Sequence, residues 1–444
     1  MDAISEVGKL GLEGLMERAN IVFTSGYRFK GIIDETDLEK SIKAICNCVI
    51  KFNYQLNFKT QDNYTWDASS QRQYPLQSIV TADLDQGFSQ LCKDSFTIFD
   101  KPNSEPMLFT LIKNTSELDD EFIISQSCNH IYVDARSAEV IFNNIINYYN
   151  ALCSQDMATA NDIILKTKAL RTLSSDIVIE QCFTENPNAN HDNNIEKIVD
   201  YPIIDFGKHA IPMNTLDETL THYRKMPRAP LIQYFNVDDI INSCRKKHPK
   251  VSKNSVICAV IAKAIYNINV QEKGVKPNHI ISFKMLSDIL SPNLRQKYSG
   301  NYIAFVPVSV NGEKKLEEMA NDINNRIVDF KKIDLDTSIF ALTEEAISNA
   351  LVGTADEPLS FVVTNWNNLS FTGTKNFLIN CQSIRHQSGV NINPKDTLGA
   401  ALVNRPLFVI SFSPCGELCI SQFPSLSSQA VNDNLGEHLN AIFL

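Results

Sequence analysis

The chain has 444 residues, 43% of them hydrophobic and 21% charged, with a formal net charge of −10. That composition belongs to globular proteins of two or three domains with a sizeable buried core, and the acidic balance argues against a nucleic-acid partner, which needs a basic surface. The opening MDAISEVGKLGLEGLMERAN lacks the continuous apolar run of a secretory leader, and no later stretch approaches the roughly 18 uninterrupted apolar residues of a membrane helix, so the reading is a cytoplasmic protein with no membrane partner.

In chain order, IVFTSGYRF reads as a strand, ETDLEKSIKAICNCVIKF as a helix behind a Thr and an acidic first turn, and YQLNFKT as a second strand. SEPMLFTLIK and DEFIISQS are β-rich runs separated by the acidic turn NTSELDD. SAEVIFNNIINYYNAL follows as a helix with Ala138, Ile141, Ile145 and Tyr148 or Tyr149 on one face. Residues 183–229 are poor in apolar periodicity and carry TENPNANHDNN and KMPRAP, so they read as a connection between residues 1–182 and 230–444. The second half opens with PLIQYFNV, continues through two helical patterns and reaches the strand-like runs NYIAFVPVSV, LSFVVTNW and PLFVISFS. Both halves are therefore expected to be α/β. The eleven cysteines are odd in number and scattered through apolar patterns such as AICNCVI and VICAVIA, which fits reduced, buried thiols. Neither Cys46 with Cys48 nor Cys415 with Cys419 has metal-finger spacing, and no metal is expected.

The stretch that carries chemistry is SCNHIYVDARSAEVI, where His130 stands four residues before Asp134 in the turn between a buried strand and a helix. Such a turn is a rigid place to hold a side chain at the mouth of a cleft. The same spacing also fits a satisfied core histidine followed by a helix-capping aspartate.

Several segments in order resemble the superfamily of chloramphenicol acetyltransferase, the BAHD acyltransferases and the condensation domains of nonribosomal peptide synthetases. FKGIIDETDLEKSIKAICNCVIKFNYQLNF looks like its opening strand, helix and second strand, and SFTIFDKPNSEPMLFTLI like the segment before its catalytic strand. SCNHIYVDARSAEVI matches its His-x-x-x-Asp turn, VSKNSVICAVIAKAI its central helix, NLRQKYSGNYIAFVPV its Arg-containing loop and Gly-Asn strand, and VVTNWNNLSF the Ser/Thr-x-Trp strand of BAHD enzymes. There are departures. Condensation domains have a second histidine where this chain has Asn129 and a glycine where it has Ala135; the region matching the BAHD Asp-Phe-Gly-Trp-Gly motif reads NFLINCQSIRHQSG, and the DFG at 205–207 falls in the connection without the Trp-Gly.

The resemblance implies two chloramphenicol-acetyltransferase-like domains, each a mixed sheet with packed helices, and a tunnel at their interface holding His130. It implies acyl transfer from a thioester, acyl-CoA or a carrier protein's acyl-phosphopantetheine arm, to a small-molecule alcohol or amine, with His130 as general base and no acyl-enzyme. Cys128 is then a small apolar filler. Asp134 is implied to turn from the substrate and pair with an arginine; Asn57 occupies the place from which condensation domains draw it, so Arg295 is the first choice, with Arg28 and Arg136 behind it. Thr364 is implied to donate to the oxyanion and Trp366 to shape the acceptor pocket, while Gly300 and Asn301 let the backbone pass close to the centre. The run RKKHPKVSKN offers Lys246, Lys247 and Lys253 to the donor phosphates, or else is a solvated helix end. Rival readings are a free-standing condensation enzyme fed by a carrier protein and a catalytically silent binding protein. Walker A, Rossmann, Gly-x-Ser-x-Gly and His-Glu-x-x-His signatures are missing from the sequence.

Overall fold

The computed structural model describes residues 7–59, 63–99, 104–116, 120–185, 197, 203–207, 209–224, 229–274, 279–349, 359–366, 377–414, 416–423 and 429–443. In the first half the strands are β1 (Ile21–Gly31), β2 (Tyr54–Phe58), β3 (Tyr64–Ala68), β4 (Leu76–Thr81), β5 (Met107–Asn114) and β6 (Glu121–Asn129). Its helices are α1 (Gly11–Ala19), α2 (Glu35–Cys46), α3 (Leu84–Phe99), α4 (Ala135–Cys153), α5 (Met157–Ala169) and α6 (Ser175–Glu185). The second half adds strands β7 (Leu231–Phe235), β8 (Ile280–Asp288), β9 (Ile303–Asn311), β10 (Phe361–Asn365), β11 (Cys381–Ile392), β12 (Leu407–Phe412) and β13 (Leu418–Phe423). Helix α7 (Leu216–Tyr223) lies in the connection, and the second half's helices are α8 (Asp238–Lys247), α9 (Lys253–Lys273), α10 (Pro292–Arg295), α11 (Leu316–Lys332), α12 (Leu335–Ser348), α13 (Thr397–Val403) and α14 (Gln429–Phe443).

Two mixed sheets form two lobes. The first runs β11-β1-β6-β5-β4 and the second β7-β13-β12-β10-β8-β9. The first lobe's core is built by amphipathic helices: α2 starts on Asp34, whose side chain accepts from Asp37 N at 2.9 Å, and buries Leu38, Ile42 and Ile45. The α4 helix buries Ala138, Ile141, Phe142, Ile145, Ile146 and Tyr149, so Tyr149 rather than Tyr148 continues the face. In the second lobe α9 is apolar around most of its circumference because it lies between α11 and α14, and its run Val256 to Ala262 is buried throughout.

The connection inferred at 183–229 separates the sheets in sequence except for one strand. β11 comes from the second half yet completes the first sheet, pairing antiparallel with β1 from Ile21↔Ile392 to Gly31↔Cys381. From that edge it reaches back to its own lobe, where Arg385 pairs with Glu417 at 2.8 Å and lies over the Tyr234 ring at 3.9 Å. The lobes are thus interlocked. Within the connection, residues 186–196, 198–202, 208 and 225–228 lie outside the described residues. YQLNF forms β2 as expected but pairs only with β3, in a hairpin apart from the main sheet. Ten described cysteines are free. Among the described residues no helix is long and apolar enough to cross a membrane, and no cluster of side chains could hold a metal ion.

Candidate active site

β6 lies in the middle of the first sheet and ends at Asn129, where the side-chain Oδ1 accepts from Ile131 N at 3.1 Å. That local turn, with His130 N donating to Ile21 O at 3.0 Å, swings the chain toward the second lobe before α4 begins. An asparagine at 129 is suited to this job because a short side-chain carbonyl can replace a backbone acceptor.

The His130 ring is fixed from the other lobe. Its Nδ1 lies 2.9 Å from Asn301 Oδ1, while Asn301 Nδ2 donates to the carbonyls of His130 at 2.8 Å and Ile131 at 3.3 Å. With the asparagine amide committed as donor to two carbonyls, its oxygen must accept, so Nδ1 carries the proton and Nε2 keeps its lone pair. Phe23 packs its ring edgewise on the imidazole at 5.1 Å between centroids, and Trp366 packs on Phe23 at 5.7 Å. Burial pushes the His130 pKa below its ordinary value, against the opposing pull of a hydrogen bond to its own backbone, of Asp134 and of Asn301, which favours the neutral ring.

Asp134 is 3% exposed and receives four donors. Oδ1 accepts from Ser137 N at 2.7 Å and Arg295 Nη1 at 3.3 Å; Oδ2 accepts from Arg295 Nη2 at 3.1 Å and Tyr302 N at 3.1 Å. It is therefore at once the N-cap of α4 and one half of a buried ion pair. Arg295 is shared: its Nε donates to Asp288 Oδ2 at 3.1 Å, its Nη2 contacts Asp288 Oδ1, and its Nη1 donates to Ser137 Oγ at 2.9 Å. Burial works against the charge on Arg295, but Asp134 and Asp288 outweigh it and its pKa is raised; burial raises that of Asp288 as well. The other two arginines are engaged elsewhere, Arg28 with Glu121 at 2.7 Å and Arg136 with Glu139 at 3.3 Å.

Gly300 has φ +156°, and a Cβ there would stand 3.1 Å from the Tyr302 ring, so the glycine lets the strand pass between that ring and the turn. Its carbonyl accepts from Ser137 Oγ at 3.1 Å. Around these groups lies a cavity of about 700 Å³, lined by His130, Asp134, Thr364 and Trp366 among others. Thr364 and Trp366 come from β10 and its end; β10 is parallel to both β8 and β12. Cys128 is fully buried, its thiol pushed up by that burial, and it is not among the cavity-lining residues.

The basic run falls apart from this centre. Lys246, Lys247 and Lys253 do not line the cavity. Arg245, Lys246 and Lys247 form the last turn of α8, where positive charge complements the helix dipole; Lys247 pairs with Glu317, and Lys253 lies over the Phe412 ring at 5.1 Å. The cations that do line the cavity are Arg136, Lys284, Lys331 and Arg405. The DFG segment also has a structural occupation: Asp205 accepts from Ser360 Oγ at 2.7 Å and Ser282 N at 2.9 Å, tying the connection to the start of β8. Asp288 and Ser137 were not foreseen. Asp288 stands seven residues before Arg295 across a turn capped by Ser291, a spacing with no periodic signal to betray it.

Comparison with solved structures gives the fold a place. Polyketide synthase associated protein 5 from Mycobacterium tuberculosis matches with a TM-score of 0.61 at 12% identity, over 97% of this chain and 95% of that one. The first condensation domain of the CDA synthetase matches with a TM-score of 0.62 at 8% identity, over 100% and 97%. The starter condensation domain of rhizomide synthetase, solved in complex with C8-CoA, matches at 0.60 and 10%, over 95% and 88%. No family model matches the chain, and no curated protein matches it by sequence. At these identities the likeness is one of fold: the chain has the two-lobed, chloramphenicol-acetyltransferase-like architecture of condensation domains.

Proposed function

We infer that this protein is an acyltransferase that moves an acyl group from a thioester to an alcohol or amine in the cavity between its lobes. The observation that carries the reading is the His130 ring, held with Nδ1 on Asn301, which leaves Nε2 as a lone-pair acceptor on a residue that lines the cavity. In the proposed reaction Nε2 takes the proton of the acceptor hydroxyl as its oxygen attacks the thioester carbonyl carbon. The tetrahedral intermediate then collapses with cleavage of the C–S bond, and the proton returns to the departing thiolate. Thr364, on the cavity wall, is proposed as the donor to the oxyanion and Trp366 as a wall of the acceptor pocket. Asp134, Arg295, Gly300 and Asn301 are positioning residues that hold the turn and aim the ring.

Acyl-CoA is the proposed donor. A donor arm carried by a carrier protein is the second reading, favoured by the likeness to condensation domains. The experiment is mass spectrometry of products after incubating the protein with panels of acyl-CoAs and acyl-carrier proteins and mixed alcohol and amine acceptors. A product formed with free acyl-CoA establishes the first reading, one formed only with carrier-bound donors the second. Failure of every donor to react would leave the catalytically silent reading.

A further inference from the structure

The walls of the central cavity are unequal. On α1 the lining residues are Leu12, Leu15, Met16 and Ala19, which is the i, i+3, i+4, i+7 stripe of one helix face. On α12 they are Ile339, Leu342, Thr343 and Ala346, the same stripe again. Two such faces on neighbouring helices ordinarily close on each other and expel water. Here both open onto the cavity, although α1 and α12 are neighbours.

The spacing is held by polar anchors. Glu344 of α12 accepts from Leu12 N at 3.0 Å and from Gly11 N at 2.6 Å, capping the start of α1. Glu13, fully buried, pairs with Lys51 and accepts from Trp66 Nε1 at 3.0 Å, tying the opposite side of α1 to the first lobe. With its N-terminus and outer side committed, α1 is kept from sinking into the space its inner stripe faces. The charged groups of the lining, Asp134, Arg136, Lys284, Asp288, Lys331 and Arg405, all come from other elements.

We propose that the groove between α1 and α12 is a binding arm for a saturated hydrocarbon chain, carried into the cavity by one of the two substrates. A preformed groove lined by apolar side chains apart from Thr343, whose hydroxyl is spent on Ile339 O, gains most from an apolar occupant. This rests on the acyl-transfer reading for the identity of the chain's carrier, though not for the binding itself. Two sources share this chemistry, a fatty acyl thioester as donor and a long-chain alcohol as acceptor.

The test is a titration calorimetry series of acetyl-, hexanoyl-, decanoyl- and tetradecanoyl-CoA, and in parallel of hexan-1-ol, decan-1-ol and tetradecan-1-ol, on the full-length protein and on Ala346→Phe. Each methylene that enters the arm should tighten binding about fourfold, from roughly 0.8 kcal/mol per buried CH₂. The increase should appear in the arm of the experiment whose ligand uses the groove, thioester or alcohol, and stop once the groove is full. Ala346→Phe should shift that stopping point to a shorter chain while affinity for the shortest member of that series holds; Leu342→Ala should move it to a longer one, which guards against misfolding of the filled variant. Affinity flat with chain length in both series, or a length dependence untouched by both variants, would overturn the proposal. Chain-length-dependent binding without turnover of any thioester would leave it standing and sink the acyl-transfer reading instead; turnover without chain-length dependence would do the reverse.

Discussion

Two histidines sit one on either side of the Phe23–Trp366 aromatic pair, and they differ in almost everything except residue type. His130 touches Phe23 at 5.1 Å and His386 touches Trp366 at 6.1 Å. Burial lowers the pKa of both, that of His386 to about 3. His130 has one nitrogen satisfied by Asn301 and lines the cavity; His386 is 1% exposed, stacks on Tyr27 at 4.8 Å, and neither of its nitrogens has a hydrogen-bond partner among the described residues. The difference teaches that burial alone does not make a base. A neutral imidazole becomes one when one nitrogen is fixed and the other is left where a substrate can reach it.

The largest expected effect breaks the two apart. General-base catalysis contributes about 10² to 10⁴ in rate, so His130→Ala should lower kcat on an alcohol acceptor by at least that range with donor affinity little changed. His386→Phe, which keeps a ring against Tyr27 and Trp366, should retain most of the turnover. Steady-state kinetics of the two variants on one verified substrate decide it; equal losses would remove His130 from the base position.

Next in size is the ion-pair network beneath His130. Replacing Arg295 by Gln leaves the buried Asp134 and the half-buried Asp288 without their cation, and breaking a buried pair from one side costs about 3 to 5 kcal/mol. Asp134→Asn should cost less, because Arg295 keeps its two contacts with Asp288. Urea midpoints of the two variants should therefore rank Arg295→Gln as the less stable. The reverse order would mean that Arg295 is the costlier group to leave short of a partner, since an asparagine at position 134 would still cap α4.

His386 sharpens the comparison through pH. Its folded pKa is depressed from 6.5 to about 3, so the unfolded chain binds the proton first and stability, intact above the unfolded value, falls as the pH drops from 6.5 toward 3. At about pH 4 this amounts to roughly 3 kcal/mol. His386→Phe should flatten that part of the stability profile, measured as urea midpoints across the acid range. An unchanged slope would assign the acid sensitivity to other groups, of which His209, lowered to about 4 by burial, is the next.

What was legible in the sequence follows the range of the interaction that determines it. The β6 to α4 turn was readable because its parts are adjacent: an apolar run, His130, and an N-cap Asp134 before a helical stripe. β11 was not read as a strand. CQSIRHQSGVNI is polar along most of its length yet buried over its second half, because it lies between β1 and the strands of the other lobe, and that environment is invisible locally. The α1 stripe was missed for a related reason: it is short and ends in Asn20 in the left-handed region, with its capping supplied by Glu344 from far along the chain. Asn301 was expected to serve the backbone, and its contact with the His130 ring joins residues from opposite lobes.

The smallest effect concerns that contact and gives the finest test of the comparison, since Asn301 is what His386 lacks. Removing the acceptor in Asn301→Ala deletes one hydrogen bond to the ring, worth about 1 kcal/mol net, or roughly fivefold in kcat if it acts only through orientation and tautomer. The same variant also deletes the bonds from Nδ2 to the carbonyls of His130 and Ile131, so a loss of stability accompanies it whatever the role, and a second variant isolates the effect on the ring. Asn301→Asp keeps an oxygen near Nδ1 but adds a negative charge, which favours the imidazolium. In the native protein the acid limb of kcat/KM should lie below 6.5, because burial depresses the His130 pKa and the base form persists as the pH falls. In Asn301→Asp the limb should move to higher pH, so that activity lost at mildly acid pH returns on raising it. A pH profile identical to that of the native protein in both variants would mean that Asn301 does not act on the ring, and the distinction drawn between the two histidines would then rest on access to the cavity alone.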